Sequence, residues 1–281
     1  MTNKDTDLKA ILQAADNMRR NLIKMGFDAG PKGLHFGGCL SCVEILSVLY
    51  KAILNVNPIQ PQDPARDRFI LSKGHCSATH YAALHEAGFL SEEELFSFES
   101  DGGHFPTHSV IYPEKAIEIS SGSLGNGLSV GVGSALAANR KKMGHRVFVL
   151  MGNGECNEGA VWEAVMAAAQ MKLDNLIAIV DHNGFQLDGE SKHIMNTGNL
   201  SGVFTEFGWN VVEVDGHSVT DLYDVLHRIQ EQGAPTVIVA HTTKGKGISF
   251  MENNPLWHHS RISQQDYDRA ILELEGGADG V

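Results

Sequence analysis

The sequence has little of what nucleic-acid-binding and membrane proteins require. Acidic residues outnumber basic ones by 34 to 22, which gives the 281 residues a formal net charge of −12. Because the basic stretch at 140–142 is too short to neutralise many phosphates, we predict no nucleic-acid partner. No apolar run approaches the roughly 18 residues of a membrane span, and residues 1–7 are polar where a secretory signal would be apolar. We therefore expect a cytoplasmic protein with no membrane partner.

Cysteine is scarce as well. The four cysteines are Cys39, Cys42, Cys76 and Cys156, and without a signal sequence we expect them to be reduced. Cys39 and Cys42 have the Cys-x-x-Cys spacing of redox and zinc sites, but no second pair completes a four-ligand zinc site. The pattern favours two small buried residues at the start of a helix, while a redox or metal role stays open.

Glycine and histidine, by contrast, are abundant, with 30 and 14 residues. Hydrophobic residues make up 42% and charged residues 20% of the chain, as in ordinary globular proteins. A chain of this length buries about three quarters of its unfolded surface. We therefore predict one domain over residues 1–281, in which glycine permits tight turns and histidine supplies groups that titrate near neutral pH.

The periodicity of apolar residues indicates the order of secondary structure. Helical spacing over 8–25 and 41–54 predicts a helical N-terminal segment over 1–65. After it, we predict strands at 68–71, 147–151, 176–180, 209–214 and 236–240, and helices at 76–88, 124–139, 159–171, 220–229 and 262–274. Apolar strands alternating with helices are typical of the α/β class, here a parallel sheet flanked by helices on both faces.

Glycines and polar residues that could bind a ligand follow two of the predicted strands. Gly152-Asn-Gly-Glu-Cys-Asn-Glu-Gly159 leads from one strand into a helix, and Asp181-His-Asn-Gly-Phe185 follows the next strand. Ligands bind beyond the carboxyl ends of such strands, and a glycine turn before a helix suits phosphate. Asn153 and Asn183 are then placed to hold Mg²⁺ or Ca²⁺ together with phosphate oxygens. The alternative is a dinucleotide site, which needs a third glycine where position 157 is Asn.

Several motifs, in order along the chain, resemble the N-terminal part of transketolases. Gly152-Asn-Gly154 followed by Asn183 resembles the signature that holds thiamine diphosphate. The further motifs are Leu71-Ser-Lys-Gly-His75, Ser121-Gly-Ser-Leu-Gly-Asn-Gly127, Val214-Asp-Gly-His217 and Lys244-Gly-Lys-Gly-Ile-Ser-Phe-Met-Glu-Asn-Asn-Pro-Leu-Trp-His258. The likeness covers about residues 10–275 and is greatest for the N-terminal subunit of split transketolases, whose two halves are separate chains. It implies the thiamine diphosphate-binding fold, in its diphosphate-binding form.

This resemblance implies a set of cofactor-binding residues. Those expected at the diphosphate are His75, Gly152, Gly154, the N–H of Glu155, and His258. Those expected at the aminopyrimidine ring are Gly122 and Leu124. Those expected at Mg²⁺ (or Ca²⁺) are Asn153, Asn183, which also counts among the cofactor contacts, and the carbonyl oxygen of Phe185.

The resemblance also implies catalytic residues. They are His35, His75, His108 and His258, which would handle protons and contact substrate, and Glu158, which would lie at the subunit interface. One of these assignments is ambiguous. Gly103-His104 keeps a glycine–histidine pair of the family, but His108 keeps the spacing to Gly122 better, and we favour His108.

Asn153 departs from the family, which has Asp at this position as a metal ligand. An amide keeps one ligating oxygen but removes a negative charge beside a divalent ion. Since charge matters strongly at contact distance, we predict weaker metal and cofactor binding without its abolition.

The function implied by the resemblance is transfer of a two-carbon ketol unit from a ketose to an aldose, on sugar or sugar-phosphate substrates. The glutamate that activates the cofactor belongs to a pyrimidine-binding domain that these residues do not contain. We therefore expect a C-terminal transketolase-type subunit to supply it, in an α2β2 assembly. Two alternatives stay open: the same apparatus specialised for a modified donor such as a sulfonated sugar, or a non-catalytic scaffold or regulatory subunit with weakened metal binding.

Overall fold

The computed structural model describes residues 3–229 and 233–276 of the chain. Residues 1–2 of the predicted helical segment, and 230–232 and 277–281 of the predicted domain, lie outside the described residues. The strands are β1 (Arg68–Leu71), β2 (Val147–Gly152), β3 (Leu176–His182), β4 (Asn210–Asp215) and β5 (Thr236–His241). The helices are α1 (Asn3–Asp28), α2 (Phe36–Ser41), α3 (Val43–Val48), α4 (Ser77–Glu86), α5 (Glu92–Phe96), α6 (Asn126–Lys141), α7 (Gly159–Gln170), α8 (Ser191–Ile194), α9 (Leu200–Glu206), α10 (Val219–Arg228) and α11 (Gln264–Gly276).

The strands form one five-stranded sheet in the order β1-β2-β3-β5-β4, and every neighbouring pair is parallel. Val147 of β2 lies opposite Arg68 of β1 on one side and Leu176 of β3 on the other. The predicted parallel sheet is thus confirmed. Its consequence for function is that the ends of β1, β2 and β3 emerge side by side.

Successive residues of each strand pack into two separate cores. On β2, Phe148 and Leu150 join the core formed with α1, α3 and α4, and Val149 joins the core formed with α6 and α7. Helices therefore cover both faces of the sheet, as predicted. Because both faces are dry, neither has room for polar residues, which explains the continuous apolar strands.

The predicted helix at 41–54 corresponds to α3 and a π-helical turn over Leu49–Ile53 that continues it. It begins at Val43 and not at Ser41, because the helical geometry breaks at Cys42, between α2 and α3. Just before the break, the Ser41 hydroxyl bonds to the Gly38 carbonyl and to the Asp181 carboxylate, so tertiary contacts override the helical pattern. The short helices α8 and α9 were not predicted.

Within the two described ranges, no helix is both long and apolar enough to cross a membrane.

Helix α6 packs against the sheet through glycine. A Cβ atom added at Gly131 would lie 2.5 Å from Cγ2 of Val149, whereas one added at Gly133 would meet nothing within 4 Å. Gly131 is buried and Gly133 is exposed on the same helix. The close approach of α6 to β2 therefore requires glycine at the first position only.

We expect Gly131→Ala to lower the free energy of unfolding by about 1–3 kcal/mol, because the added methyl overpacks the contact with Val149. The matched control, Gly133→Ala, should raise it by up to about 1 kcal/mol, since alanine favours helix more than glycine does. Urea unfolding followed by circular dichroism measures both. Equal effects of the two substitutions would contradict this account of the packing.

Candidate active site

A cavity of about 510 Å³ opens at the carboxyl edge of the sheet. Its walls are the loops after β1, β2 and β3, together with residues 122–124 and the segment 244–258. The predicted site residues that line it are His75, His108, Gly122, Leu124, Gly152, Asn153, Gly154, Glu155, Glu158, Asn183, Phe185 and His258. Residues far apart in the sequence meet here because the carboxyl ends of neighbouring parallel strands share one edge.

His35, which is not among the lining residues, stands at the centre of a histidine cluster. Its ring centroid lies 5.4 Å from that of His75, 5.8 Å from that of His108 and 5.5 Å from that of His258. His259 comes nearer still, at 4.4 Å, and was not among the predicted site residues. The cluster thus joins the cavity wall to a half-buried ring behind it.

The structure separates the two candidate histidines of the 99–116 loop. His108 lines the cavity and contacts His35, whereas His104 lies in a separate depression beside Tyr112, with ring centroids 5.8 Å apart. This geometry favours His108, in agreement with the sequence spacing.

Lys244 is a wall residue that sequence analysis missed. It is only 2% exposed, its Nζ donates to the carbonyl oxygen of Gln186 at 2.9 Å, and it lies 3.0 Å from Nδ1 of His258. A nearly buried ammonium on a cavity wall favours an anionic ligand. The signal that could have found it was its place at the start of the motif that ends at His258.

A second missed lysine lies at the base of the cavity. Lys73 is 1% exposed, and its Nζ pairs with the carboxylate of Asp181, which is 0% exposed. Burial alone lowers the pKa of Lys73 and raises that of Asp181. The opposite charge of each partner outweighs burial, so the pKa of Lys73 is above its ordinary value and that of Asp181 below. Both groups are therefore charged.

Three other basic groups around the cavity, His35, His258 and Lys244, have lowered pKa values. Burial, followed by the charge of neighbouring histidines, lowers the pKa of His35 to about 3. Burial and then Lys244 lower the pKa of His258 to about 4, and burial and then Lys73 lower the pKa of Lys244 to about 8. Burial is the larger cause and neighbouring positive charge the smaller, and an anion beside these groups would favour their charged forms, so the cavity is suited to a negatively charged group.

Asn153 and Asn183, which follow the ends of β2 and β3, do come together as predicted. With the Asn153 amide oriented so that both its ends are satisfied, its nitrogen donates to Oδ1 of Asn183 at 3.2 Å and its oxygen accepts from the Ser191 hydroxyl at 2.6 Å. Oδ1 of Asn183 also accepts from the N–H of Phe185 at 3.0 Å. All the predicted metal ligands are thus neutral oxygen donors, which fit Mg²⁺ or Ca²⁺ where a ligand such as diphosphate brings the negative charge.

No richer set of metal ligands competes with this one. Among residues 3–229 and 233–276, no group of three or more histidine, cysteine, aspartate or glutamate side chains could hold a metal ion. Cys39 and Cys42 are buried, free thiols, and burial also contributes to raising the pKa of Cys42 well above its ordinary value, after its hydrogen bond with Cys76.

Glu158 lies at the rim, where it is exposed and precedes α7. The Cβ of Glu158 packs against Gly125, so that a Cβ added at Gly125 would lie 2.7 Å from it. Gly125 has a φ of +82°. Glu158 thus lines the edge of the cavity, and its place at a subunit interface stays a prediction.

Comparison with known proteins identifies the family of the chain. Residues 15–274 match the family described as transketolase, thiamine diphosphate binding domain. The chain is 40% identical over 264 residues to an apulose-4-phosphate transketolase subunit from Phocaeicola vulgatus, covering 94% of this chain and 92% of that relative. It is 36% identical over 242 residues to the 6-deoxy-6-sulfo-D-fructose transketolase subunit of Clostridium sp., covering 86% and 88%.

Solved structures show the same likeness. Transketolase from Leishmania mexicana superimposes with a TM-score of 0.86 at 28% identity, covering 94% of this chain and 41% of that protein. The chain therefore spans about two fifths of the length of that transketolase. The predicted resemblance is confirmed, and the chain belongs to the transketolase family, in which it corresponds to the thiamine diphosphate-binding domain.

Proposed function

We propose that this chain is the cofactor-binding subunit of a two-chain, thiamine diphosphate-dependent transketolase. The observation that carries the proposal is the cavity in which the family's cofactor motifs meet, walled by His75, Lys244 and His258. The reaction transfers a two-carbon ketol unit from a ketose to an aldose. Bound thiamine diphosphate supplies the stabilisation of negative charge on carbon that this transfer needs.

The protein's part is first to bind and orient the cofactor. His75, Lys244 and His258 would contact the diphosphate, together with the N–H groups of the turn at 154–155. Gly122 and Leu124 would lie against the aminopyrimidine ring. The N–H groups of a glycine turn complement these side chains because they approach phosphate oxygens closely. They also bind the anion without the cost of removing a full charge from water.

The second part is proton handling by His35 and His108. Their ring centroids lie 5.8 Å apart, and His108 lines the cavity with His35 behind it. The lowered pKa of His35 keeps its ring neutral at pH 7, so one nitrogen donates a hydrogen bond while the other accepts. Such a ring can hold a substrate hydroxyl and exchange its proton.

We expect His108→Ala to lower kcat/KM of the assembled enzyme by about 10²- to 10⁴-fold, the usual size of a proton-transfer contribution. His104→Ala, which changes the same residue type in the same loop but outside the cavity, should leave kcat/KM unchanged. Steady-state kinetics of both variants in complex with the partner chain decides. Equal losses would contradict the assignment of His108.

A divalent metal belongs to this proposal. Asn153, Asn183 and the carbonyl oxygen of Phe185 would hold it against the diphosphate. The Asn153 amide donates to Oδ1 of Asn183, so this hydrogen bond competes with a metal for the same oxygen. Aspartate at position 153 would present only acceptors and a negative charge.

Asn153→Asp should therefore tighten binding of Mg²⁺ in the presence of thiamine diphosphate by about tenfold, which corresponds to roughly 1.4 kcal/mol. The matched control is Asn157→Asp, which adds the same charge in the same loop at a side chain bonded to Gln186 instead. It should not tighten binding. Isothermal titration calorimetry measures both, and unchanged affinity of Asn153→Asp would sink the idea.

The partner is a C-terminal transketolase-type subunit, in an α2β2 assembly. Two relatives similar over most of this chain are named as subunits, which supports a division of the enzyme between chains. The partner's pyrimidine domain would supply the activating glutamate, and the exposed Glu158 would lie at the contact.

The experiment that tests the function is reconstitution. We expect no turnover by this chain alone with ketose and aldose substrates, and turnover when the purified partner is added at equal stoichiometry. Turnover by this chain alone would refute the two-chain proposal. Binding of neither thiamine diphosphate nor Mg²⁺ would favour the scaffold or regulatory alternative.

A modified donor is a second candidate function. It is favoured by the names of the relatives above, one an apulose-4-phosphate and the other a 6-deoxy-6-sulfo-D-fructose transketolase subunit. A panel of donors tested on the reconstituted enzyme, with unmodified ketose phosphates beside apulose-4-phosphate and 6-deoxy-6-sulfo-D-fructose, distinguishes the two by their kcat/KM values.

A further inference from the structure

The carboxylate of Glu155 gathers hydrogen bonds from separate loops. Oε1 accepts from the N–H of Gly125 at 2.8 Å and from the Ser72 hydroxyl, while Oε2 accepts from the N–H of Gly152 at 3.1 Å. Oγ of Ser72 in turn accepts from the N–H of Gly127 at 3.1 Å. Glu155 and Ser72 are each 2% exposed, so none of these bonds is weakened by solvent.

Each tied loop carries part of the cavity wall. Ser72 precedes His75 in the loop after β1, and Gly152 precedes Asn153 in the loop after β2. The third loop, before α6, carries Gly122 and Leu124. The carboxylate thus ties the loop after β1 and the loop before α6 to its own loop after β2, and each of these three carries part of the predicted cofactor site.

The loops also approach one another closely at glycines, where a side chain would not fit. A Cβ at Gly127 would lie 2.4 Å from Cβ of Ser72, and one at Gly74 would lie 2.5 Å from Oγ of Ser121. Such glycine contacts fix how near the loops come but supply no attraction that holds them there. The hydrogen bonds of Glu155 and Ser72 supply it.

The position of the carboxylate adds a further attraction. Gly125 is the N-cap of α6 and Gly127 lies in its first turn, where backbone N–H groups have no partner within the helix. A negative group at a helix N-terminus is stabilised by the helix dipole as well as by the direct bonds. A neutral amide of the same shape would lose the charge and one of the two accepting oxygens.

We propose that Glu155 and Ser72 form a clamp that sets the three cofactor-binding loops in place before the cofactor binds. This role rests on the proposed function. Through its carboxylate, Glu155 is then a positioning residue for thiamine diphosphate, in addition to the contact expected from its N–H. The clamp acts by preorganisation, because the cofactor then does not spend binding energy on ordering the loops.

The first experiment measures amide hydrogen exchange of the full chain without ligand. In Glu155→Gln, one oxygen becomes an NH₂ group that cannot accept, so we expect exchange at 122–127 and 150–154 to speed up by about tenfold. Residues of α10 should keep their exchange rates. The control is Glu163→Gln, which removes the same charge from an exposed position on α7 and should change neither region. Unchanged or uniformly faster exchange in Glu155→Gln would overturn the clamp.

The second experiment measures the affinity for thiamine diphosphate with Mg²⁺ by calorimetry. We expect Glu155→Gln to weaken it by at least about tenfold and Ser72→Ala by less, with a double variant no weaker than Glu155→Gln alone, because both belong to one clamp. Unchanged affinity in Glu155→Gln would overturn its positioning role. Failure of the wild-type chain to bind the cofactor would instead count against the proposed function, while exchange would still decide whether the clamp orders the loops.

Discussion

A buried ion pair is the constraint on which the site depends. Asp181, at the end of β3, pairs with Lys73, just after β1, and so spans the width of β2 between them. The same carboxylate accepts from Ser41 at the end of α2, from Thr242 after β5, and from the amide of Asn183 at 3.1 Å. Removal of one member of a buried pair leaves an uncompensated charge and costs about 3–5 kcal/mol. The floor of the cavity is therefore rigid because its alternatives are costly.

The sheet could be predicted from the sequence because burial on both faces leaves a simple signal. A strand such as Val147–Gly152, which is apolar along most of its length, has few other interpretations. Where tertiary contacts set the start of a helix, the predicted boundary was displaced. The break at Cys42 follows from the bond between Ser41 and Asp181, a residue far away in the sequence. The short helices α8 and α9 offer too few residues for a periodicity to show.

The sequence predicted part of the candidate site and missed the rest. Its members were found from motifs, and the cavity brings His75, Asn183 and His258 together as those motifs imply, although their individual roles stay proposals. Lys73, Lys244 and the carboxylate of Glu155 lie inside the same motifs but were passed over. Their importance rests on what they contact across the fold, and spacing along a chain carries no record of that.

The crowding of histidines around His35 has a consequence for the loading of the site. Burial, and after it the charge of neighbouring basic groups, lowers the pKa of His35 and of His258, and an arriving anion offsets the second of these effects. Binding of an anion then takes up protons from solution, and by linkage its affinity increases as pH falls toward the pKa values of the loaded state. His35 and His258 are therefore uncharged at neutral pH and take up protons more readily when an anion lies beside them.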